Sequence, residues 1–245
     1  MNPDFCVIIP ARLESSRLPG KVLLDIAGKT LVQHVYEAAV RSRADRVVIA
    51  TDSPQVQAVA DTFSAECIMT SPAHNSGTDR LAEAIAHLRL PGDSIVVNVQ
   101  GDEYGLPPEL INQLAALLQD NPDCSMATLC ERITQTEEKE DPAIVKVVFD
   151  HNRKAIYFSR YGIPWIKQGS PETAYRHIGL YAYRAEFLKI FSGLPVCDLE
   201  RQESLEQLRA LYYGHAILVD EACTRAGIGI DTEKDLAYAR TIADH

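Results

Sequence analysis

The feature that most narrows the fold is an alternation running through the first half of the chain, where short strand-like runs take turns with stretches of helical period. Residues 6–9, 46–50, 66–69 and 94–99 read as buried strands. Between them, residues 31–43 place Leu31, Val32, Val35, Ala38 and Ala39 on one helical face. Pro54 sits at a favourable first position of the next helix, a third runs from about Thr78 to Leu88, and Pro107-Pro108 opens a fourth. Units of this kind need right-handed crossovers, so the expected class is α/β with a doubly wound, Rossmann-like, mostly parallel sheet. Ligands of such sheets collect beyond the carboxyl ends of the strands. Each run here empties at that edge into a polar segment.

The first of those segments is the most distinctive. Pro10 stops the apolar run, and the residues that follow hold Arg12, Arg17 and Lys21 against a single acid, Glu14, with Ser15, Ser16 and Gly20 among them. Such a loop suits a ligand with adjacent negative charges, since Arg forks onto phosphate oxygens and Lys supplies a mobile point charge. It is not a Walker loop: Ser15 stands where the first Gly belongs, and Val22 follows Lys21 where Ser or Thr should. On these residues alone, a solvated basic turn competes with an anion-binding loop. The last of the segments, Gln100-Gly101-Asp102-Glu103, pairs a glycine that permits close backbone approach with an acid placed to hold a hard cation. An ordinary acidic turn competes there too.

Composition removes several function classes. The chain has 245 residues, 46% of them hydrophobic, enough for a sizeable core in one main domain with an appendage. A formal net charge of −10 argues against nonspecific binding to nucleic acid or anionic membranes. No membrane span or signal sequence is recognisable, so the protein is expected to remain cytoplasmic. The six cysteines lack C-x-x-C spacing and are expected to be small, buried and reduced, and the histidines form no zinc pattern.

From Cys124 the pattern becomes more antiparallel. Residues 126–132, 145–150 and 155–160 read as strands, the last two as a hairpin across residues 151–154. Residues 161–174, with the only tryptophan, Trp165, read as a surface excursion. Residues 175–184 alternate again, with His177, Gly179, Tyr181 and Tyr183 on one face as a ligand wall or a dimer surface. Residues 199–212 have the period of one helix, residues 216–219 form a late strand, and Thr232 with Asp235 caps the final helix.

Read together, PARLESSRLPGKVL, SGTDR, NVQGDE, KVVFD, YFSR, RHIGLYAYR, LEQLRAL and GIDTEKDL, in that order, resemble the 3-deoxy-D-manno-octulosonate (Kdo) cytidylyltransferases, or CMP-Kdo synthetases. The resemblance runs from about Phe5 to Ala239. It implies a nucleotide-diphospho-sugar transferase type of fold, a single nucleotidyltransferase domain over residues 1–245, and a β-rich dimerisation and sugar-binding arm within residues 124–184. It also implies transfer of CMP from CTP to Kdo for lipopolysaccharide biosynthesis, with Mg²⁺ as cofactor, in a homodimer.

By the same resemblance Arg12, Arg17 and Lys21 serve the triphosphate, and Asp102 and Asp231 hold Mg²⁺. Ala11, Thr51, Asp52, Ser76 and Gly77 complete the CTP site. Arg80, Gln100, Arg160, His177, Tyr181, Glu206 and Gln207 form the sugar site, with Arg80 the first choice for the sugar carboxylate and Arg160 the second. Taken singly, Asp231 also reads as a helix-start acid, Glu206 as an exposed helix face and His177 as a core histidine. Two departures stand out: Tyr104-Gly105 replaces the proline usual after G-D-E, and residues 225–230 replace a P-G-T-G-like turn. Either could turn acceptor preference toward an 8-amino relative of Kdo or a sialic-type acid. A non-catalytic CTP-binding module is the reading from another class.

Overall fold

The computed structural model describes residues 5–15, 17–74, 76–168 and 173–243. Ser16 and residues 169–172 of the surface excursion lie outside the described residues.

The elements follow in chain order as β1 (Phe5–Pro10), β2 (Asp25–Ile26), β3 (Lys29–Thr30), α1 (Leu31–Val40), β4 (Arg46–Thr51), α2 (Pro54–Thr62), β5 (Glu66–Met69) and α3 (Gly77–His87). Next come β6 (Ile95–Asn98), β7 (Glu103–Tyr104), α4 (Pro108–Gln119), β8 (Met126–Arg132), α5 (Thr136–Glu140), β9 (Lys146–Phe149), β10 (Ala155–Ser159) and β11 (Tyr175–Arg184). The chain closes with α6 (Ala185–Gly193), α7 (Asp198–Glu203), α8 (Gln207–Tyr212), β12 (Ile217–Glu221), β13 (Ile228–Gly229) and α9 (Glu233–Ala243).

The expected parallel block is present, with β5, β4, β1 and β6 adjacent and all parallel. Because strand side chains alternate, Val7 and Ile9 face one core with α1, α2, α4 and α9, while Cys6 and Ile8 face another with α3, α6 and α8. That is the doubly wound arrangement, and it puts the ends of β1, β4 and β6 at one mouth. β11 then runs antiparallel to β6 and carries the sheet into the second half. Residues 124–184 are therefore continuous with the main sheet through β11. β8 pairs antiparallel with β11 and parallel with β12, and β12 reaches β10 through the Lys154–Leu218 bridge. These strands curl around an inner cluster that includes Cys130, Val147, Phe158 and Val219.

One expected element is two. Residues 199–212 split into α7 and α8 at Ser204, whose φ of 53° is left-handed. The cause is tertiary: the Glu203 carboxylate accepts from the Ser159 hydroxyl and the Arg160 N–H, and the Arg160 guanidinium donates to the Glu203 carbonyl. These bonds hold the chain to β10 and restart the helix at Gln207. The cysteines also need correction in part. All six are free, but Cys67 is half-buried and Cys223 is exposed. Burial pushes the Cys6 and Cys130 thiols up to about 12, so those two are inert packing groups.

Candidate functional site

The cationic loop after β1 is folded back by a short turn: the Gly20 N–H donates to the Leu13 carbonyl, and a single 3₁₀ turn covers Lys21–Leu23. Gly20 takes φ 65°, open to glycine at little cost. The fold aims Lys21 inward. Its ammonium donates to Asp102 and, at 2.9 Å, to Asp231, while Arg17 pairs with the other Asp231 oxygen at 3.0 Å. Two acids separated by about half of the chain thus meet one cation.

Burial pulls the Lys21 pKa down, but the Asp102 and Asp231 carboxylates outweigh it and the net shift is upward, keeping the ammonium charged. Among the described residues no group of three or more His, Cys, Asp and Glu side chains converges as a metal site. The acid pair itself suits Mg²⁺, which takes one or two carboxylates and completes its shell with phosphate oxygens and water. The Lys21 ammonium marks a point where both carboxylates reach one cation.

The acids are brought together by two strands of two residues each. β7 pairs antiparallel with β13, with Ile228 opposite Tyr104 and Gly229 opposite Glu103, and the Ile230 N–H donates to the Asp102 carbonyl. This ribbon is built from both motif departures. Gly227 lies against the Tyr104-Gly105 turn, where an added Cβ would stand 2.4 Å from the Tyr104 carbonyl oxygen. The loop is anchored from the far side by Glu131, which pairs with Arg176 and accepts from the Ala226 N–H at 2.6 Å. Gly227→Ala must displace backbone. We expect it to cost about 2–3 kcal/mol of stability and at least 10-fold in turnover, measured by thermal unfolding and initial rates.

Glu103, next to Asp102, has its carboxyl pushed up to about 7 by burial, with the negative charges of Asp102, Asp231 and Glu131 adding and Arg176 opposing. At neutrality this carboxyl is therefore only about half ionised, and it adds a reduced charge beside the pair.

Around the ion pairs, one cleft is lined by Arg12, Arg17, Lys21, Ser76, Gly77, Arg80, Gln100, Asp102 and Asp231, with Ser15 and His74 at its walls. Ser76 caps α3 by accepting from the Asp79 N–H, so the positive end of α3 faces the cleft. Gly101 packs so closely that an added Cβ would lie 2.8 Å from the Pro10 carbonyl oxygen.

Other expected contacts sit elsewhere. Ala11 is buried and continues β1, its N–H bonded to the Ala50 carbonyl. Thr51 is fully buried, and its hydroxyl accepts from the Ser53 N–H. Asp52 pairs with the buried Arg80 guanidinium at 2.8 Å, which Thr70 also binds, so Asp52 orients Arg80.

The sugar-site residues divide. Gln100, Tyr181, Glu206 and Gln207 line a small cavity that shares Gln100 with the cleft. Tyr183, expected on the ligand wall of residues 175–184, lines it too; Thr78 and Asn98 line it as well and were missed, although the alternation Val96, Asn98, Gln100 places Asn98 on the face of Gln100. Arg160 points to the Pro142, Glu203 and Ser204 carbonyls, outside both linings.

His177 packs between the Phe158 and Tyr181 rings, its Nε2 3.0 Å from the Thr128 hydroxyl. Burial pushes its imidazole down to about 3. An unfolded histidine takes up its proton near 6.5 whereas the folded one does not, so stability from this group is present above that pH and is lost as pH falls toward 3. We expect its contribution to fall by about 2 kcal/mol between pH 6.5 and 5. A His177→Asn variant should show that much less acid sensitivity in denaturant melts at the two pH values.

Known proteins share both frame and sequence. A model of the cytidylyltransferase family matches residues 6–217. The 3-deoxy-manno-octulosonate cytidylyltransferase of Francisella philomiragia subsp. philomiragia is 47% identical over 97% of this chain and 98% of its own length. The enzyme designated 3-deoxy-manno-octulosonate cytidylyltransferase 1 in Hydrogenovibrio crunogenus is 51% identical, covering 98% and 96%. The solved structure of a CMP:2-keto-3-deoxy-manno-octonic acid synthetase complexed with CTP superposes with a TM-score of 0.92 at 40% identity, over 98% of both chains. The 4-diphosphocytidyl-2C-methyl-D-erythritol synthase of Anaerococcus prevotii, at 12% identity and a TM-score of 0.64, shares the fold alone. With likeness of this depth over nearly its whole length, the chain belongs to the 3-deoxy-manno-octulosonate cytidylyltransferase family.

Proposed function

We propose that this chain transfers CMP from CTP to the anomeric C2 hydroxyl of Kdo, giving CMP-Kdo and pyrophosphate for lipopolysaccharide assembly. The observation that carries this reading is the meeting of Arg17, Lys21, Asp102 and Asp231 in one cleft. In-line displacement at the α-phosphorus asks a protein chiefly for positioning and charge neutralisation. Arg12, Arg17 and Lys21 bind the triphosphate and offset the charge growing on the leaving pyrophosphate. Ser76 and Gly77, at the start of α3, add backbone donors.

Asp102 and Asp231 are the residues that would hold Mg²⁺. Bound there, the ion supplies charge neutralisation and a lowered pKa for the attacking hydroxyl. Arg80, held in place by Asp52 and Thr70, takes the sugar carboxylate; Gln100, Tyr181, Glu206 and Gln207 take its hydroxyls. The enzyme works in the cytoplasm, where CTP is made. It is a homodimer, and Ile156, Tyr161 and Trp165, the last two more than four-fifths exposed, offer an apolar surface for the partner. Light scattering should return twice the 27.1 kDa chain mass.

Incubation with CTP, Mg²⁺ and Kdo should yield CMP-Kdo by mass analysis, and omission of Mg²⁺ should stop it. Because Tyr104-Gly105 lies in the ribbon that places Asp102, 8-amino-Kdo and a sialic-type acid belong in the same panel. Faster turnover of either would move the assignment to that acceptor. CTP binding without turnover of any acceptor would make the chain a nucleotide-binding module.

A further inference from the structure

Three buried side-chain polar atoms lack a hydrogen-bond partner among the described residues: Thr30 Oγ1, Asn98 Oδ1 and Gln207 Nε2. Two of them line the same cavity. Asn98 is 2% exposed and Gln207 6%, so neither amide can turn to bulk water, and an unmet buried polar atom costs roughly 1–3 kcal/mol. Groups of this kind persist where a bound molecule completes them.

The cavity's position and size say what that molecule can be. Along β6 and the two residues after it, Val96 is core, Asn98 is the transition and Gln100 stands in the wall shared with the cleft. Asn98 is opposite Tyr181 on β11, so its side chain is fixed by the centre of the sheet. At about 40 Å³, where a single water needs about 10–15 Å³, the cavity has room for a few water-sized polar groups.

Chemistry narrows it further. None of the side chains lining the cavity is cationic, and the Glu206 carboxylate, which accepts from Thr78 at 2.6 Å, stands in its wall, so an anionic group is excluded. The amides present one acceptor and one donor. A hydroxyl serves both through a single oxygen; a methylene serves neither.

We propose that Asn98 is a specificity-determining residue, its Oδ1 accepting from one hydroxyl of the acceptor sugar while Gln207 Nε2 donates to the same oxygen. The cavity thereby reads the presence of that hydroxyl. This rests on the reading of the cleft as a sugar-acid cytidylyltransferase site. A site built to bond a hydroxyl rejects the analogue lacking it, because both amides are then left unmet.

The test compares kcat/KM for Kdo with that for its 4-, 5-, 7- and 8-deoxy analogues, in the full-length protein and in Asn98→Ala. The wild type should discriminate against one analogue by about 10- to 100-fold. Asn98→Ala should lower kcat/KM for Kdo by a similar factor and bring the ratio for that analogue close to 1, leaving the KM for CTP within about 2-fold. If Asn98→Ala fails to fold, Gln207→Ala probes the other amide from α8 and should erase discrimination against the same analogue. Wild-type turnover whose analogue ratios the folded variant leaves unchanged, as a buried water alone would give, overturns the proposal and spares the functional reading. Absence of wild-type turnover with Kdo overturns both.

Discussion

Asp231→Asn and Asp102→Asn are each expected to lower Mg²⁺-dependent kcat/KM by about 10³- to 10⁴-fold while leaving a folded protein. The loss is large because each substitution removes one of the two carboxylates that, among the described residues, contact Lys21. Stability should change little for Asp231, whose side chain is partly exposed and whose ion pairs are correspondingly screened. CTP binding measured by calorimetry in EDTA should hold or tighten, since a negative charge leaves the phosphate cleft. That combination separates a metal-holding acid from one that merely stabilises the start of α9. Full Mg²⁺-dependent activity in Asp231→Asn would return it to the latter role.

Lys21→Ala should cost about 10²- to 10³-fold in kcat/KM, and Arg17→Ala about 10-fold less than that, because Lys21 is the more buried and contacts both acids. Lys21→Arg should recover less than about a tenth of the loss. A compact ammonium fits between two carboxylates, whereas a planar guanidinium demands the space and direction of a fork. Pre-steady-state rates would place the defect in the chemical step. Near-normal turnover in both alanine variants would remove the loop from catalysis.

Lys146 illustrates how far tertiary context can depart from residue type. It is completely buried, and its ammonium donates to the Asp141, Ile144 and Arg160 carbonyls. Burial lowers its pKa, yet three acceptors keep the site satisfied. Nothing in the run KVVF distinguishes this lysine from an exposed strand-start residue. Arg160 is similar: in sequence it is a cation near a predicted sugar site, and in the fold it fastens β10 to the break between α7 and α8.

Much of the site was nonetheless legible. The apolar runs and their abrupt polar ends located the mouth of the sheet, and Arg17, Lys21, Arg80, Gln100 and Asp102 all lie there. Asn98 was missed because an Asn inside a strand reads as a packing defect until its unmet amide is seen. The tight fit of Gly227 was equally invisible, since it depends on the Tyr104 carbonyl, far away in the chain.

What the sequence determined by itself was periodic and local: strands from a period of two, helices from a period of 3.6, and the polar loops that must lie where each strand stops. Those patterns arise from backbone geometry and from the free energy of moving apolar side chains out of water, and both act on neighbouring residues. The meeting of Asp102 with Asp231, the break at Ser204 and the closing of a small polar cavity by Asn98 and Gln207 were decided only by tertiary structure. Each depends on groups remote in the chain, whose distances are set by packing.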